Sequence, residues 1–323
     1  MKVVHSPEAL PSDTRGAVVA LGVFDGVHLG HQAVLSQTVR RARERRVAAG
    51  VVTFDVDPDQ VLLGAEPCFL TSLEHRLRLI SRLGISCALV LTFDRALSQT
   101  SAEEFARLVF REGFRAQVVV MGRGGRFGRG GAGTPEDLSR WGQCWGLAVE
   151  VVEPVTVAGE PVSSTRIRQA VRRGDLEGAQ ASLGRPVSVL GTVVQGEGRG
   201  RRLGFPTINL DLHHEACPCE GVYTGRADVG GRWRPAAVSV GRKPTFHPER
   251  GAGEEPVVEA HILDFAGEIE GWAVEVEFLA RLREQERFPD DQALAEQIAR
   301  DVAATRAFFG AGTIPVQEER EAP

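Results

Sequence analysis

A change of hydrophobic pattern near residue 184 divides this chain of 323 residues into two parts that must fold differently. Before it, short apolar runs alternate with helical segments; after it, short apolar strands follow one another with only turns between them. Strand–helix alternation predicts a parallel, doubly wound α/β sheet of the Rossmann type. Strands without intervening helices predict a small antiparallel β-barrel. We therefore predict domains over residues 1–183 and 184–310, with a disordered tail over 311–323.

The predicted elements follow from these patterns. In the first domain we expect strands at 18–21, 51–55, 87–93, 118–120 and 147–152, with helices at 31–49, 73–83, 101–112 and from 134 onward. In the second we expect strands at 187–194, 205–210, 221–229, 233–240, 257–265 and 273–279. A last helix, capped at Asp290, carries Leu294, Ile298, Val302 and Phe309 on one face. We expect that face to pack against the barrel.

Composition excludes some classes of partner. Hydrophobic residues make up 42% and charged residues 25%, and the net charge is −5. Such a balance gives no reason to expect binding to nucleic acid or to a membrane surface. No apolar run reaches spanning length and no signal-peptide pattern begins the chain. The 5 cysteines are odd in number and scattered, which predicts free thiols in a reducing cytoplasm.

The sequence GVFDGVHLGH, residues 22–31, directly follows the first predicted strand and opens a helix. Two histidines that flank a glycine at a helix N-terminus are well placed to bind triphosphate oxygens, helped by the helix dipole. Taken alone, the pair could also be two surface histidines. Its place at the carboxyl end of a strand favours a ligand site.

The sequence GEGRGRRLGFPTIN, residues 196–209, is the densest combination of glycine and arginine in the second domain. Glycines let backbone N–H groups approach an anion, and arginines add fixed positive charge. If the segment after Pro206 is extended, Thr207 and Asn209 lie on one face, where a hydroxyl and an amide oxygen suit Mg²⁺. The alternative is a glycine-rich hairpin with solvated arginines.

The order Gly-Arg-Gly-Arg-x-Leu-Gly-Phe-Pro-Thr-x-Asn, residues 198–209, resembles the signature of riboflavin kinases. In the first domain, HxGH together with SSTRIR, residues 163–168, resembles the nucleotidyltransferase superfamily. From about Gly16 to Phe309 the chain resembles the bacterial bifunctional riboflavin kinase/FMN adenylyltransferases, also called FAD synthetases. This resemblance implies phosphorylation of riboflavin in the second domain and adenylylation of FMN in the first.

The resemblance also implies ligands and site residues. ATP would be the co-substrate and Mg²⁺ the cofactor, with riboflavin, FMN, FAD, ADP and pyrophosphate as the other small-molecule partners. Catalytic roles fall on His28, His31, Arg166 and Glu259, a metal site on Thr207 and Asn209, and a flavin contact on Arg283. The implied nucleotide- and phosphate-binding residues are Gly22, Phe24, Asp25, Gly30, Ser163, Ser164, Thr165, Arg168, Gly198, Arg199, Gly200, Arg201, Gly204 and Pro206.

Glu259 is implied as the catalytic base because the 5′-hydroxyl of riboflavin is a poor nucleophile with a high pKa. A solvated strand carboxylate is the alternative reading of that residue. In the first domain, by contrast, we expect phosphate clamping by the two histidines, Arg166 and Mg²⁺, with no general base. Self-association is not determined by the sequence.

Two segments of the first domain depart from the family pattern. Asp57 stands where the family has a histidine, and Gly124 and Gly125 stand where it has a polar residue and an aromatic ring. The loop 122–133 holds 7 glycines, which predicts flexibility. Three readings stay open: a weakened FMN adenylyltransferase, one with another acceptor or nucleotide, or a module that binds nucleotide without turnover. The complete HxGH and SSTRIR motifs favour catalysis.

Overall fold

The computed structural model describes residues 1–56, 61, 69–247 and 251–311, with the backbone alone at 243–247 and 251–255. Asp57, Cys68 and the predicted tail from residue 312 onward lie outside the described residues. The chain divides into two compact units, Met1–Ser164 and Thr165–Pro323. The predicted domain boundary at 183/184 lies further along the chain, so the two helices before it go with the second unit.

The first unit is built on a parallel sheet of six strands in the order β1-β4-β3-β2-β5-β6. The strands are β1 (Lys2–Val4), β2 (Val18–Leu21), β3 (Ala49–Phe54), β4 (Cys87–Leu91), β5 (Val118–Gly122) and β6 (Ala148–Val152). From β2 the chain builds outward in one direction through β3 and β4, and then returns to add β5 and β6 on the other side. The topological switch point therefore lies between β2 and β5, where open α/β sheets bind their ligands.

Helices cover both faces of this sheet. They are α1 (Leu29–Arg45), α2 (Leu73–Arg82), α3 (Arg95–Gln99), α4 (Ala102–Ala106) and α5 (Pro135–Trp145). A π-helical segment, Arg107–Gly113, continues α4. Alternate residues of β2 enter different cores: Val18 and Ala20 pack on the side of α1, while Val19 and Leu21 pack on the opposite side. This confirms the doubly wound α/β fold.

The chain then passes through a short hairpin, β7 (Thr156–Val157) and β8 (Glu160–Pro161), and two helices, α6 (Ser164–Arg172) and α7 (Leu176–Leu183). Asp175 caps α7 by accepting a hydrogen bond from the Gly178 N–H at 2.9 Å. Gly184 ends the helix at a φ of 69°, the left-handed conformation that glycine adopts without a steric penalty.

The second unit is a closed barrel in the order β10-β13-β12-β11-β14-β9, with every neighbouring pair antiparallel. Its strands are β9 (Val187–Val194), β10 (Ile208–Asp211), β11 (Gly221–Val229), β12 (Arg232–His247), β13 (Gly251–Ile262) and β14 (Ala273–Arg283). A one-turn helix, α8 (Arg199–Arg202), interrupts the β9–β10 connection, and α9 (Asp291–Gly310) follows the barrel. The predicted barrel and terminal helix are confirmed.

The predicted face of α9 packs against the barrel, but its most deeply buried members are polar. Leu294, Ile298, Val302 and Phe309 are only half-buried. Asp301 and Thr305 are buried. The Thr305 hydroxyl lies 3.3 Å from that of Thr224 on β11. The packed face of this helix therefore includes a buried polar contact that the apolar stripe did not reveal.

Candidate active sites

The loop that follows β2 carries the HxGH motif in a strained backbone. Phe24 and Val27 have φ angles of 58° and 40°, in the left-handed region that bulky and β-branched residues rarely adopt. A Cβ on Gly22 would lie 3.0 Å from the Phe24 ring, so glycine there makes room for that ring. Phe24 is in turn buried. The motif is thus a folded loop held at the carboxyl end of the central strand.

The two histidines form one unit at the start of α1. His28 caps the helix, its Nδ1 accepting a hydrogen bond from the His31 N–H at 3.3 Å. The two rings stack with centroids 3.6 Å apart, and the edge of Phe24 meets His31 at 5.3 Å. A Cβ on Gly30 would lie 3.2 Å from the His28 ring, so glycine lets that ring lie against the first turn.

Burial, followed by the neighbouring His28 and the Arg76 cation, holds the pKa of His31 well below its ordinary value. His31 is therefore neutral at physiological pH. Its Nδ1 is buried and makes no hydrogen bond. A neutral imidazole can donate one hydrogen bond to a phosphate oxygen but adds no charge. A contact of His31 with phosphate would therefore be a hydrogen bond from a neutral ring, and it stays a prediction.

Asp25, predicted to bind nucleotide, is buried and bonded to protein backbone. Its Oδ1 accepts the N–H groups of Leu70 and Thr71 at 2.9 and 3.1 Å. The Ser164 hydroxyl donates to the Asp25 carbonyl oxygen at 3.0 Å. Asp25 therefore ties the loop to the segment that precedes α2 and to the start of α6, and Ser164 lies beside the motif as the sequence implied.

The rest of the SSTRIR motif is divided between the units. Ser163 and Ser164 belong to the first unit, and Thr165, Arg166 and Arg168 to the second. Thr165 and Arg166 are exposed at the start of α6, and Arg168 is half-buried. Their approach to the phosphates bound by the histidines stays a prediction.

The glycine-rich loop after β5 is more firmly held than its composition suggests. The Phe127 N–H donates to the Gly133 carbonyl oxygen at 3.2 Å, and the Gly133 N–H donates to the Phe127 carbonyl oxygen at 2.9 Å. The Phe127 ring is buried against Phe105 and Trp141. A Cβ on Gly128 would lie 2.4 Å from the Cα of Ala102. The glycines in this loop allow close packing as well as backbone freedom. Composition alone therefore overstates the flexibility of the loop.

In the second unit, the predicted kinase residues line two neighbouring cavities. The first, about 550 Å³, is lined by Glu259, Arg199, Gly200 and Arg283, with Phe288, Leu294 and Ile298 on its wall. The second, about 600 Å³, is lined by Arg201, Pro206 and the segment 265–270. Thr207, Asn209 and Gly198 line both. The structure therefore brings together, around one junction, predicted residues as far apart in sequence as Gly198 and Arg283.

Strand register explains why Glu259 and Asn209 meet. The two residues are direct partners across β10 and β13, and Ser239 on β12 faces Glu259 from the other side. Directly opposed side chains on antiparallel strands are close enough to share a ligand. Glu259 is half-buried at this position, and Asn209 is buried. Thr207, two residues before Asn209, lines the same cavities, in agreement with the predicted common face.

Two glycines of the GEGRGRRLGF segment leave room for polar atoms. A Cβ on Gly196 would lie 2.1 Å from the Asn209 Nδ2, and one on Gly200 would lie 2.5 Å from the Phe205 carbonyl oxygen and 3.2 Å from the Thr207 Oγ1. Gly198 begins α8 at a φ of 68°. Gly204 has a φ of 86° in the turn after α8, and its contact with phosphate stays a prediction.

Arg199 and Arg283 are held by carboxylates of α9. Arg283 makes a forked contact with Asp301, from Nε at 3.0 Å and from Nη2 at 2.7 Å, and its guanidinium lies over Phe288 at 5.7 Å. Arg199 pairs with Asp291 at 2.8 Å. Sequence reasoning missed Asp301, because nothing in a helical aspartate indicates a partner 18 residues away.

Other lining residues were also missed. Gln285 donates from Nε2 to the Ser239 hydroxyl at 2.8 Å, and His261 Nδ1 lies 2.8 Å from the Pro206 carbonyl oxygen. Both side chains line the cavity that holds Glu259. His261 lies two residues after Glu259, a spacing that places both side chains on one face of a strand. This spacing could have identified His261 from the sequence.

Within the described ranges, no group of three or more histidine, cysteine, aspartate or glutamate side chains is arranged to hold a metal ion. No helix in those ranges is both long and apolar enough to cross a membrane. The four cysteines that the structure describes, Cys87, Cys144, Cys217 and Cys219, are free thiols.

Comparison with known proteins matches each unit to a family. A family model described as FAD synthetase matches residues 10–166, and one described as riboflavin kinase matches residues 183–309. A protein of Bacillus subtilis (strain 168), named bifunctional riboflavin kinase/FMN adenylyltransferase, is 33% identical over 314 residues, covering 95% of this chain and 97% of its own length. One of the same name from Pseudomonas fluorescens is 34% identical over 309 residues, covering 95% and 98%.

A crystal structure from Streptococcus pneumoniae, described as a macrolide-efflux protein, is also similar along its length. It is 32% identical, covers 94% of this chain and 98% of its own, and gives a TM-score of 0.78. The whole two-unit architecture is thus shared with an experimental structure.

Proposed function

We propose, since the chain belongs to the family of bifunctional riboflavin kinase/FMN adenylyltransferases, that it phosphorylates riboflavin with ATP to FMN and then adenylylates FMN to FAD. One observation carries the proposal: Glu259, Thr207 and Asn209 meet where two cavities of suitable size join. Two substrates bound in adjoining cavities can react at the junction. The pneumococcal structure is described as an efflux protein, whereas the two family models that match this chain are described as FAD synthetase and riboflavin kinase.

The cavity that contains Glu259 suits the flavin. Its volume of about 550 Å³ lies within the range of small-molecule sites, and Phe288, Leu294 and Ile298 supply apolar surface for a flat ring system. Arg283, fixed by Asp301, adds one polar group at the wall. The cavity with Arg201 and the 265–270 segment then takes ATP. Arg201 would contact its phosphates.

In the kinase reaction, the 5′-hydroxyl oxygen of riboflavin attacks the γ-phosphorus of ATP. Its proton passes to the Glu259 carboxylate, and the bond from the γ-phosphorus to the bridging oxygen breaks to release ADP. The backbone N–H groups around Gly198 and Gly200 support the transferring phosphoryl group, and Arg199 adds positive charge once it leaves Asp291. These residue roles rest on the shared cavity lining.

Thr207 and Asn209 fit a Mg²⁺ ion that also binds ATP. Their hydroxyl and amide oxygens are hard, neutral donors, and both side chains line the junction of the cavities. A site with neutral donors binds the ion only together with phosphate oxygens, which suits a metal that arrives with its nucleotide. The ion would supply charge neutralisation to the transferring phosphate.

Adenylylation needs no general base in the first unit. The FMN phosphate is mostly ionised at neutral pH because its second pKa is about 6. One of its oxygens attacks the α-phosphorus of ATP, and the bond to the bridging oxygen breaks to release pyrophosphate. His28 and the neutral His31 hold phosphate oxygens by hydrogen bonds at the N-terminus of α1, and Arg166 supplies the charge.

The divergent loop reshapes this site rather than removing it. A Cβ on Gly124 would meet nothing within 4 Å, so the missing polar side chain leaves open space. A Cβ on Gly125 would lie 2.9 Å from the Met121 Cε and 3.0 Å from the Gly122 carbonyl oxygen. Met121 thus crowds the space beside Gly125. Since Phe127 still anchors the loop, we propose that FMN remains the acceptor.

We place both reactions in the cytoplasm, where free thiols persist. The proposed partners are the small molecules of these two reactions, without nucleic acid.

The experiment that tests this function feeds purified protein with ATP and Mg²⁺, with riboflavin in one tube and FMN in another. We expect FMN and FAD from the first, FAD and pyrophosphate from the second, and neither reaction when EDTA removes the metal. FMN in the first tube with no FAD in either would identify a riboflavin kinase whose first unit has another substrate or a binding role. No FMN from riboflavin would contradict the kinase assignment.

A further inference from the structure

The loop between β2 and α1 holds a conformation that it could not keep by itself. Two of its non-glycine residues, Phe24 and Val27, have positive φ angles. Backbone strain of this kind persists only where surrounding contacts over-determine the conformation. The contacts that do so here come mainly from one neighbouring segment, which runs from Leu70 into α2.

Arg76 of α2 is the charged member of that segment. It is 1% exposed, although arginine is almost never fully buried unless its charge is satisfied. Its Nη1 donates to the Val23 carbonyl oxygen at 2.5 Å and its Nη2 to the Phe54 carbonyl oxygen at 3.0 Å. One planar guanidinium thus joins the residues that follow β2 and end β3.

Further bonds hold the same loop from the same side. The Thr53 hydroxyl donates to the Val23 carbonyl oxygen at 3.0 Å, so that this oxygen accepts two hydrogen bonds. The Gly26 N–H donates to the Thr71 hydroxyl at 2.9 Å, next to the bonds from Leu70 and Thr71 to Asp25. The loop is therefore fixed at Val23, Asp25 and Gly26, immediately before His28.

We propose that Arg76 is a positioning residue for adenylyl transfer, fixing the strained loop that sets His28 and His31 at the N-terminus of α1. The inference rests on the proposed function of the first unit. Arg76 is buried beneath the loop and acts through the backbone of Val23 and Phe54, so it is not itself a catalytic residue.

Arg76 also acts on the charge state of the site. The titratable and charged groups that lower the pKa of His31, besides its burial, are His28 from the loop and Arg76 from α2. Removing the Arg76 cation should therefore raise the pKa of His31. A purely structural arginine, remote from the histidines, would not move this titration, which makes it a diagnostic readout.

Two substitutions separate charge from geometry. Arg76→Met removes the positive charge and the two hydrogen bonds to carbonyl oxygens. Arg76→Lys keeps a cation but loses the forked guanidinium that spans the two carbonyl oxygens. Arg78→Met is the matched control, because Arg78 lies on the same helix with its side chain 36% exposed and pairs with Glu74 along that helix. All variants are made in the full chain, so that FMN formation from riboflavin reports on the second unit of the same molecule.

For Arg76→Met we expect FAD formation from FMN to fall about tenfold or more, with FMN formation within about twofold of the parent. The His31 ring, followed by NMR during a pH titration, should protonate at a higher pH than in the parent protein. Arg76→Lys should leave the His31 titration near that of the parent and give an intermediate rate of FAD formation. Arg78→Met should change neither.

The proposal is overturned if Arg76→Met forms FAD at the parent rate, or if His31 titrates at the parent pH in that variant. Should Arg76→Met fail to fold, Arg76→Lys decides: a parent rate of FAD formation contradicts the positioning role, and a reduced rate with intact kinase activity supports it. If the parent protein itself forms no FAD, the proposed function fails. The His31 titration then still decides whether Arg76 controls the site.

Discussion

At the scale of single residues, strand register shows which side chain lies opposite the motif of the proposed kinase site, which the motif itself does not reveal. The signature at 198–209 predicts that Thr207 and Asn209 share a face, but it does not say what lies opposite. The pairing of Asn209 with Glu259 across β10 and β13 provides the carboxylate. Glu259 thereby lines the same cavity as Thr207.

Replacing Glu259 with glutamine should lower the rate of FMN formation by about a hundredfold or more, because the amide keeps the shape of the side chain but cannot accept the hydroxyl proton. The rate is measured with saturating ATP at several concentrations of riboflavin. We expect the loss in kcat, with KM for riboflavin little changed.

Glu220→Gln is the matched control for Glu259→Gln. Glu220 pairs with Arg242 at an exposed position and lines neither cavity. A kcat for Glu259→Gln within about threefold of the parent would exclude this carboxylate as the base. Lost activity in both variants would instead indicate general damage to the barrel.

Residues that act through long-range contacts were beyond sequence reasoning. Arg76 belongs to a helical pattern that resembles any charged amphipathic helix, yet it is buried beneath a loop that lies some fifty residues earlier. Asp25 is predicted from the motif to bind nucleotide, and the structure adds that its carboxylate accepts hydrogen bonds from backbone amides 45 and 46 residues away. Motifs identify the residues near a ligand, whereas the groups that fix them depend on tertiary packing.

At the scale of helices and strands, the hydrophobic period predicted most elements with boundaries within a few residues. Val187–Val194 and Gly221–Val229 agree with the prediction, because each is a run of apolar or β-branched residues between turns. The strand Lys2–Val4 was missed, since three residues at a sheet edge carry too short a pattern. The terminal helix was predicted, but the polar side of its packing was not.

The ion pair between Arg283 and Asp301 of α9 predicts a difference in stability between two variants. Arg283 and Asp301 have side-chain exposures of 16% and 8%, whereas Arg199 and Asp291 have 52% and 63%. Asp301→Asn leaves a buried arginine without its carboxylate and should reduce the free energy of unfolding by about 3 kcal/mol. Asp291→Asn breaks an exposed pair and should cost at most about 1 kcal/mol.

Urea unfolding of the two variants measures this difference, and their KM for riboflavin provides a second readout. We expect KM to rise for Asp301→Asn, because Arg283 at the cavity wall loses its fixed orientation. Equal stabilities of the two variants would mean that α9 is held by its apolar contacts alone. An unchanged KM in a destabilised Asp301→Asn would separate Arg283 from flavin binding.

At the scale of the whole molecule, the chain folds into two compact units, one a doubly wound sheet and one a barrel, each with its own core of buried residues. The family resemblance drawn from the sequence is confirmed, and so are both fold types, because each unit carries its own motif and its own hydrophobic period. The boundary at 183/184 stays a prediction: the compact units divide after Ser164, whereas the match to the riboflavin kinase model begins at residue 183.

Separate cores predict that the two activities can be removed one at a time. His31→Ala should abolish FAD formation and leave FMN formation within about twofold of the parent, while Glu259→Gln should convert FMN, but not riboflavin, to FAD. Mixed together with riboflavin, ATP and Mg²⁺, the two variants should restore FAD after a lag in which free FMN accumulates. Added phosphatase should hydrolyse that FMN and suppress FAD. FAD formation that resists the phosphatase would mean direct transfer of FMN, whereas no FAD from the mixture would mean that each site depends on the other.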